Sequence, residues 1–210
     1  MIKIMKKYYL FLAILVVMLI FPFEKSHAQS ATHNVTMSTV VQASLAMDIT
    51  SGDTVAFGNL TPGTPIAAPN TGTIVSVQTN ASNGYTLAVS DAINGVDSCL
   101  LHTDAVTRIT DVTSGTVALP AVWGASTGLG IAMFAADTNK EAKWGGGATY
   151  DDALNRYAAI PELATVAHTV TGLVAGANTS SWAYKLDAPA SQKTGNYSGQ
   201  MTFTATAVLP

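Results

Sequence analysis

The segment from Gly124 to Gly128 (Gly-Ala-Ser-Thr-Gly) carries the pattern in this chain that is typical of a catalytic serine. In serine hydrolases that have this G-x-S-x-G pattern, the serine lies on a sharp strand-to-helix turn, and His and Asp are brought to it. The residues that follow, 129–135, alternate or run apolar like a strand, so the pattern predicts no helix. We interpret Ser126 as a loop residue and keep a secreted serine hydrolase as an alternative.

Candidate metal ligands are few. His33, His102 and His168 lie far apart without the spacing of a zinc site, and the sequence predicts no metal or cofactor. The oxygen-bearing side chains Asp137, Asn139 and Glu141 are calcium candidates, but Ala142 stands where an EF-hand loop has glycine. We expect a solvated acidic loop there, with calcium binding as the alternative.

Aromatic residues offer a possible ligand-binding surface. Trp144 lies in the stretch Lys143 to Gly147, which reads as a flexible glycine-rich loop, and Tyr150 follows closely. An exposed aromatic pair of this kind can stack on a sugar, so we predict that Trp144 and Tyr150 bind a ligand. Trp182 alternates with Tyr184 and is predicted to be in the core.

The first 28 residues read as a cleavable signal peptide. Lys3, Lys6 and Lys7 precede an apolar run over residues 8–23, and Ser26 and Ala28 place small residues before a cleavage site between Ala28 and Gln29. The run is shorter than the roughly 20 residues of a spanning helix. We therefore predict an N-terminal signal helix, secretion to the outside or the cell surface, and no membrane span after cleavage.

Composition limits the classes of partner. The net charge of the chain is −3, and residues 1–28 contain four Lys and one Glu, so the remainder is more acidic than the whole. This argues against nucleic acid, which attracts clustered basic residues. One cysteine, Cys99, cannot form an internal disulfide, so the predicted domain must be held together by packing.

Alternation with a period of two is the main structural signal. Residues 35–49 place Val35, Met37, Val41, Leu45, Met47 and Ile49 on one face, which predicts one strand much longer than the usual 5–6 residues. Residues 74–79 and 85–90 flank Asn83-Gly84 and predict a hairpin. Residues 91–161 form an irregular, loop-rich middle, and clear alternation returns at 182–186 and 200–209.

These short strands between Gly, Pro and Asn turns predict one domain over residues 29–210. Its expected fold is all-β, an antiparallel immunoglobulin-like β-sandwich.

Three phrases carry a resemblance to a known class of proteins. They are Phe57 to Gly63, Val77 to Leu87, and Tyr184 to Pro189 leading to Gly195 to Thr206. This layout resembles bacterial surface β-sandwich proteins of the WxL and spore-coat-U-like kind. The chain departs from them in having no Trp-x-Leu motif and no cysteine pairs. The resemblance implies an extracellular, non-enzymatic sandwich.

The leading functional hypothesis is a structural or interaction protein of the cell surface. The over-long first strand could complete the sheet of a neighbour by β-strand addition, which makes other envelope proteins or a second copy the expected partners. The alternative is an adhesin that binds surface glycans or proteins through the middle loops.

Overall fold

The computed structural model describes residues 33, 36–68, 72–91 and 100–210. The chain divides into two units, Met1–Val40 and Val41–Pro210, and the strands lie in the second. The predicted signal peptide, its cleavage site at Ala28 and Gln29, and Cys99 lie outside the described residues. In the part of the chain that the structure describes, no helix has the length and apolar character of a membrane span.

The second unit is built from strands and one short 3-10 turn, Ala142–Trp144. The strands are β1 (Leu45–Ser51), β2 (Ile66–Ala67), β3 (Thr73–Thr79), β4 (Tyr85–Asp91), β5 (Leu100–His102), β6 (Arg108–Ile109), β7 (Ala121–Val122), β8 (Gly128–Ala136), β9 (Arg156–Tyr157), β10 (Thr165–Val170), β11 (Val174–Asp187), β12 (Tyr197–Ser198) and β13 (Met201–Ala207).

The two larger sheets are antiparallel, which confirms the all-β prediction. In the first sheet, β1 pairs with β3, and β3 pairs with one edge of β11. The short strand β2 pairs with the same edge of β11, beyond the end of β3, and β8 pairs with the opposite edge. In the second, β4 lies between β10 and β13. The 14-residue β11 is therefore the centre of the first sheet, with partners along both of its edges.

Side chains from both sheets share one hydrophobic core, as in a β-sandwich. Trp182 of β11 is fully buried and lies 5.3 Å from the ring of Phe203 of β13. Tyr184 and Leu186 are buried with it, as their alternation predicted. Tyr85 of β4 places its hydroxyl 2.7 Å from Asn178 Oδ1 of β11, so a buried hydrogen bond also joins the two sheets.

The predicted hairpin at Asn83-Gly84 is wrong. β3 pairs with β1 and β11, whereas β4 pairs with β10 and β13, so residues 80–84 carry the chain from one sheet to the other. Gly84 does adopt a positive φ of 82°, as the dipeptide suggested. The turn geometry was therefore readable from the sequence, but the pairing of the flanking strands was not.

The predicted first strand is also shorter than expected. Only Leu45–Ser51 forms a strand, and residues 36–44 have no regular secondary structure. Leu45, Met47 and Ile49 lie opposite Thr79, Val77 and Val75, on the face that β3 turns toward the core. Even so, they remain 38–40% exposed.

Part of the irregular middle, around Trp123 and Tyr157, packs on the outer face of the first sheet. Trp123 and Tyr157 meet edge to face with their ring centroids 5.2 Å apart. Both pack against Gly130, where an added Cβ would lie only 3.0 Å from the Trp123 ring and 3.2 Å from the Tyr157 Cβ. Lys185, opposite Gly130, places its ammonium 5.3 Å from the Trp123 ring, a cation–π contact that holds the layer to β11.

Candidate functional site

The predicted exposure of Trp144 is wrong. Trp144 ends the 3-10 turn, is 0% exposed and meets Trp182 edge to face at 5.5 Å. Its Nε1–H donates to the Ala167 carbonyl oxygen at 3.2 Å. The indole is therefore fully enclosed, and Trp144 is not available to stack on a sugar.

Glycines around Trp144 serve close packing rather than flexibility. Gly145 has a φ of 83°, and a Cβ there would collide with the Leu154 carbonyl group. A Cβ at Gly147 would collide with the side chain of Asn155. Tyr150, the other predicted ligand-binding residue, is half-buried against the core cluster. The loop is a packed structural element.

The calcium candidates are directed at different partners. Asp137 Oδ2 accepts hydrogen bonds from the backbone N–H and the hydroxyl of Thr179. Glu141 Oε1 accepts from the Thr169 N–H, and its Oε2 lies 3.3 Å from Nδ1 of His168. Asn139 adopts a left-handed φ of 55° between them. Among the described residues, no cluster of His, Cys, Asp or Glu is arranged to hold a metal ion.

The serine and histidine candidates do not form a catalytic pair. Ser126 lies in the turn before β8, and its hydroxyl donates to Ser114 Oγ at 2.9 Å. His102 is buried: its Nδ1 accepts from the Asp104 N–H, and its Nε2 lies 3.1 Å from the Thr194 carbonyl oxygen. Ser126 and His102 therefore each form hydrogen bonds that hold a loop in place.

One flank of the two sheets is closed. At the edge strand β10, Glu141 Oε1 accepts from the Thr169 N–H, and Trp144 donates to the Ala167 carbonyl oxygen. At the edge strand β8, Ile131 exchanges two backbone hydrogen bonds with Ala158. An edge strand presents unpaired N–H and C=O groups that another chain can pair with. On this flank those groups are covered.

The opposite flank, formed by β1 and β13, is open. In the part of the chain that the structure describes, β13 pairs only with β4 and β1 only with β3. Each strand therefore has an unpaired outer edge. Met201, Phe203 and Ala205 of β13 turn toward the core, while Thr202, Thr204 and Thr206 are exposed. We call this the open flank.

A cleft runs into the core at one end of the open flank. Residues 53–60 border it on one side and residues 197–203 on the other. Beneath them lie two adjoining cavities of about 320 and 860 Å³. The smaller one is lined mainly by apolar side chains, among them Ile49, Val55, Phe57, Leu129, Met201 and Phe203.

The segment 53–60 lies along this cleft without forming a ladder. Val55, Phe57 and Leu60 pack against the core, yet no backbone group of these eight residues makes a hydrogen bond within the described part of the chain. Backbone polar groups are almost always paired with protein or water. The cleft is therefore bordered on both sides by backbone that a further extended strand could pair with.

The lining of the cleft combines polar and apolar groups. Burial raises the pKa of Tyr184 to about 12, against the hydrogen bond to Thr73 Oγ1, which lowers it. The tyrosine hydroxyl therefore stays protonated and is already used as a donor to Thr73. The smaller cavity suits apolar side chains, because Val55, Phe57 and Phe203 line it, whereas Lys193, paired with Asp104, lines the larger one.

Sequence reasoning missed this cleft. The alternation at 200–209 places Met201 and Phe203 on one face, and Phe57 begins the Phe57–Gly63 phrase, but neither pattern indicates a cleft between them. The available signal was the alternation of Val55 and Phe57, two apolar residues in a turn-rich stretch.

Comparisons with known proteins give no family for the chain. No family model and no curated protein matches it. One similar solved structure comes from a study of glycolipid glycan hydrolysis by a family 123 glycoside hydrolase of Clostridium perfringens, with 13% identity and a TM-score of 0.36. The similarity covers 79% of this chain but only 25% of that one, so the chain spans about a quarter of the length of the structure it matches.

The prediction that the chain is not an enzyme is corrected by this comparison. The similar structure is that of a glycoside hydrolase, so the prediction is withdrawn. At this TM-score the likeness assigns no activity, substrate or residue role to this chain.

Proposed function

We propose that this protein is a secreted cell-surface structural protein, exported by residues 1–28, that assembles with copies of itself by β-strand addition. Its described unit would be an immunoglobulin-like β-sandwich. The observation that carries the proposal is the open flank: two unpaired edges and an apolar cleft on one side of the molecule, with both edges of the other side covered.

The proposed occupant of the cleft is residues 36–41 of a second copy. This segment contains Met37, Val40 and Val41, which are 88%, 82% and 79% exposed. It carries no charged residue, which suits the apolar cleft. Six residues in extended form span about 20 Å, enough to follow six of the seven residues of β13.

The face of the segment that would enter is defined by its alternation. Met37, Thr39 and Val41 continue the register of Leu45, Met47 and Ile49, which β1 turns toward the core side. Inserted beside β13, these side chains would cover Phe203 and Met201, while Ser38 and Val40 would face solvent. Each strand addition then combines main-chain hydrogen bonds with side chains buried in pockets.

The test introduces charges on one face of the segment at a time. In the double variant Met37→Asp with Val41→Asp, the two charges fall on the entering face, and burying them is costly. We expect assembly, measured by light scattering of the purified protein, to fall at least about tenfold.

The matched control is Thr36→Asp with Val40→Asp. It has the same spacing and the same number of charges, and it also replaces one exposed valine, but on the opposite face. We expect its assembly to resemble that of the parent. A parent that remains monomeric at all concentrations, or equal losses in the two variants, would contradict the proposal.

A further inference from the structure

The chain enters the second unit at a hydrogen-bonded clamp around Asn80. The Ser44 N–H donates to Asn80 Oδ1 at 2.6 Å, and Asn80 Nδ2 donates to the Gln42 carbonyl oxygen at 2.8 Å. One side-chain amide thus accepts from one residue and donates to another two positions away, as the backbone of a neighbouring strand would.

Thr79 completes the clamp. Its hydroxyl donates to the Ser44 carbonyl oxygen at 2.7 Å and accepts from the Ala81 N–H at 3.1 Å. The Asn80 N–H also donates to the Ser44 carbonyl oxygen, at 3.4 Å. Residues 42–44 are therefore held although β1 begins only at Leu45 and all three are exposed.

The clamp lies at the end of the open flank that is remote from the small cavity. Asn83, in the same turn as Asn80, donates to the Leu209 carbonyl oxygen just beyond β13, whereas the cavity is lined by Met201 at the start of β13. The seven residues of β13 separate the two ends by about 20 Å.

We propose that Asn80 is a positioning residue for strand donation: its side chain fixes residues 42–44 to their own unit, so that the donated segment ends at a defined residue. This inference rests on the proposed function. Without the clamp, residues 42–44 join the unpaired chain, and ordering this longer segment in a partner costs more conformational entropy. In addition, the residue at which the donated segment leaves its own unit is no longer fixed.

The first test compares Asn80→Ala with Asn83→Ala, a matched asparagine in the same turn. In Asn80→Ala we expect amide hydrogen exchange at Ser44 to accelerate and assembly to fall about tenfold, since two side-chain hydrogen bonds are lost. Asn83→Ala should leave both measurements near those of the parent. Asn80→Asp retains the acceptor for Ser44 and should restore part of the assembly.

A mixing experiment separates positioning from a general structural defect. Asn80→Ala should still accept a strand from the parent, because its cleft is unchanged, but should donate poorly. Labelled Asn80→Ala added to the parent should therefore enter assemblies and shorten them as its share increases. Failure of the labelled variant to enter would indicate a damaged acceptor and overturn the inference.

The two proposals fail in different ways. A parent that does not assemble contradicts strand addition itself. A parent that assembles, together with an Asn80→Ala variant that assembles equally well and does not shorten mixed assemblies, contradicts the role of Asn80 alone.

Discussion

At the scale of single residues, Trp144 shows how far packing can override the apparent character of a loop. A glycine-rich stretch is typical of an exposed loop, yet here the glycines allow the backbone to approach Leu154 and Asn155 so closely that the indole reaches the core. Trp144 then joins the second sheet to the first through Ala167 and Trp182.

We predict that Trp144→Ala lowers the free energy of unfolding by about 3–5 kcal/mol, because it leaves a cavity where a fully buried indole packs. Denaturation by urea would measure the change. Leu154→Ala, in the same loop but 63% exposed, is the control and should change stability by less than about 0.5 kcal/mol. Equal effects would show that Trp144 does not belong to the core.

Glu141 gives a prediction about pH. Burial raises the pKa of its carboxyl group, but His168 and the Thr169 N–H lower it by more, so that the pKa lies below the ordinary value. A carboxyl whose pKa is depressed by folding stabilises the protein above its unfolded pKa, about 4.3 for glutamate. That contribution is lost as the pH falls through the lower pKa of the folded state.

We therefore expect Glu141→Gln to cost about 1–2 kcal/mol at pH 7 and progressively less as the pH falls below about 4. Urea denaturation at a series of pH values would check this. Glu162→Gln, at an exposed position, is the control. If the difference between the Glu141 variant and the parent were the same at pH 3 and pH 7, the linkage would be refuted.

At the scale of elements, the sequence predicted what alternation controls and missed what depends on tertiary contacts. The alternation of Trp182, Tyr184 and Leu186 predicted a buried face correctly, because period two alone decides which side chains of a strand share a face. The Asn83-Gly84 turn did not reveal that β3 and β4 belong to different sheets, since hairpins and crossovers use the same turn residues.

The candidate site was still less visible in the sequence. The apolar alternation of residues 35–49 was evident and predicted an over-long strand, but it did not show that only Leu45–Ser51 finds a partner strand. Whether the edge of a strand is open depends on whether a distant segment packs against it. The edge of β10, for example, is covered by Glu141 and Trp144, which are remote from it in the sequence. No local pattern contains that information.

The two edge strands of the second sheet, β13 and β10, allow a test of strand addition with an internal control. If a strand adds beside β13, amide hydrogens of Met201–Ala207 that exchange rapidly in the monomer become protected in assemblies. Thr165–Val170, whose edge is already covered by Glu141 and Trp144, should show little change. Hydrogen exchange followed by mass spectrometry measures both peptides in one sample. If Thr165–Val170 gained protection instead, the interface would lie on the flank formed by β8 and β10, which would contradict the proposal.

At the scale of the whole molecule, the positions of donor and acceptor determine the form of the assembly. The chain enters its unit beside Asn80, while the small cavity lies near Met201 at the other end of β13. Each copy then has one donor segment and one acceptor cleft at separate places. A contact between two different surfaces is heterologous, and it continues into an open filament unless its rotation closes a ring.

We accordingly expect an open-ended series of sizes and not a closed dimer. Mass photometry at increasing concentration should show dimers, trimers and longer species together, and electron microscopy should show unbranched filaments about one unit wide. Raising the concentration should lengthen them, because addition to an end is an ordinary association equilibrium. A dimer that remains the largest species at every concentration would instead mean that two copies exchange their segments reciprocally. Donor and acceptor would then face each other across a twofold axis, which the separation of Asn80 from the small cavity along the seven residues of β13 argues against.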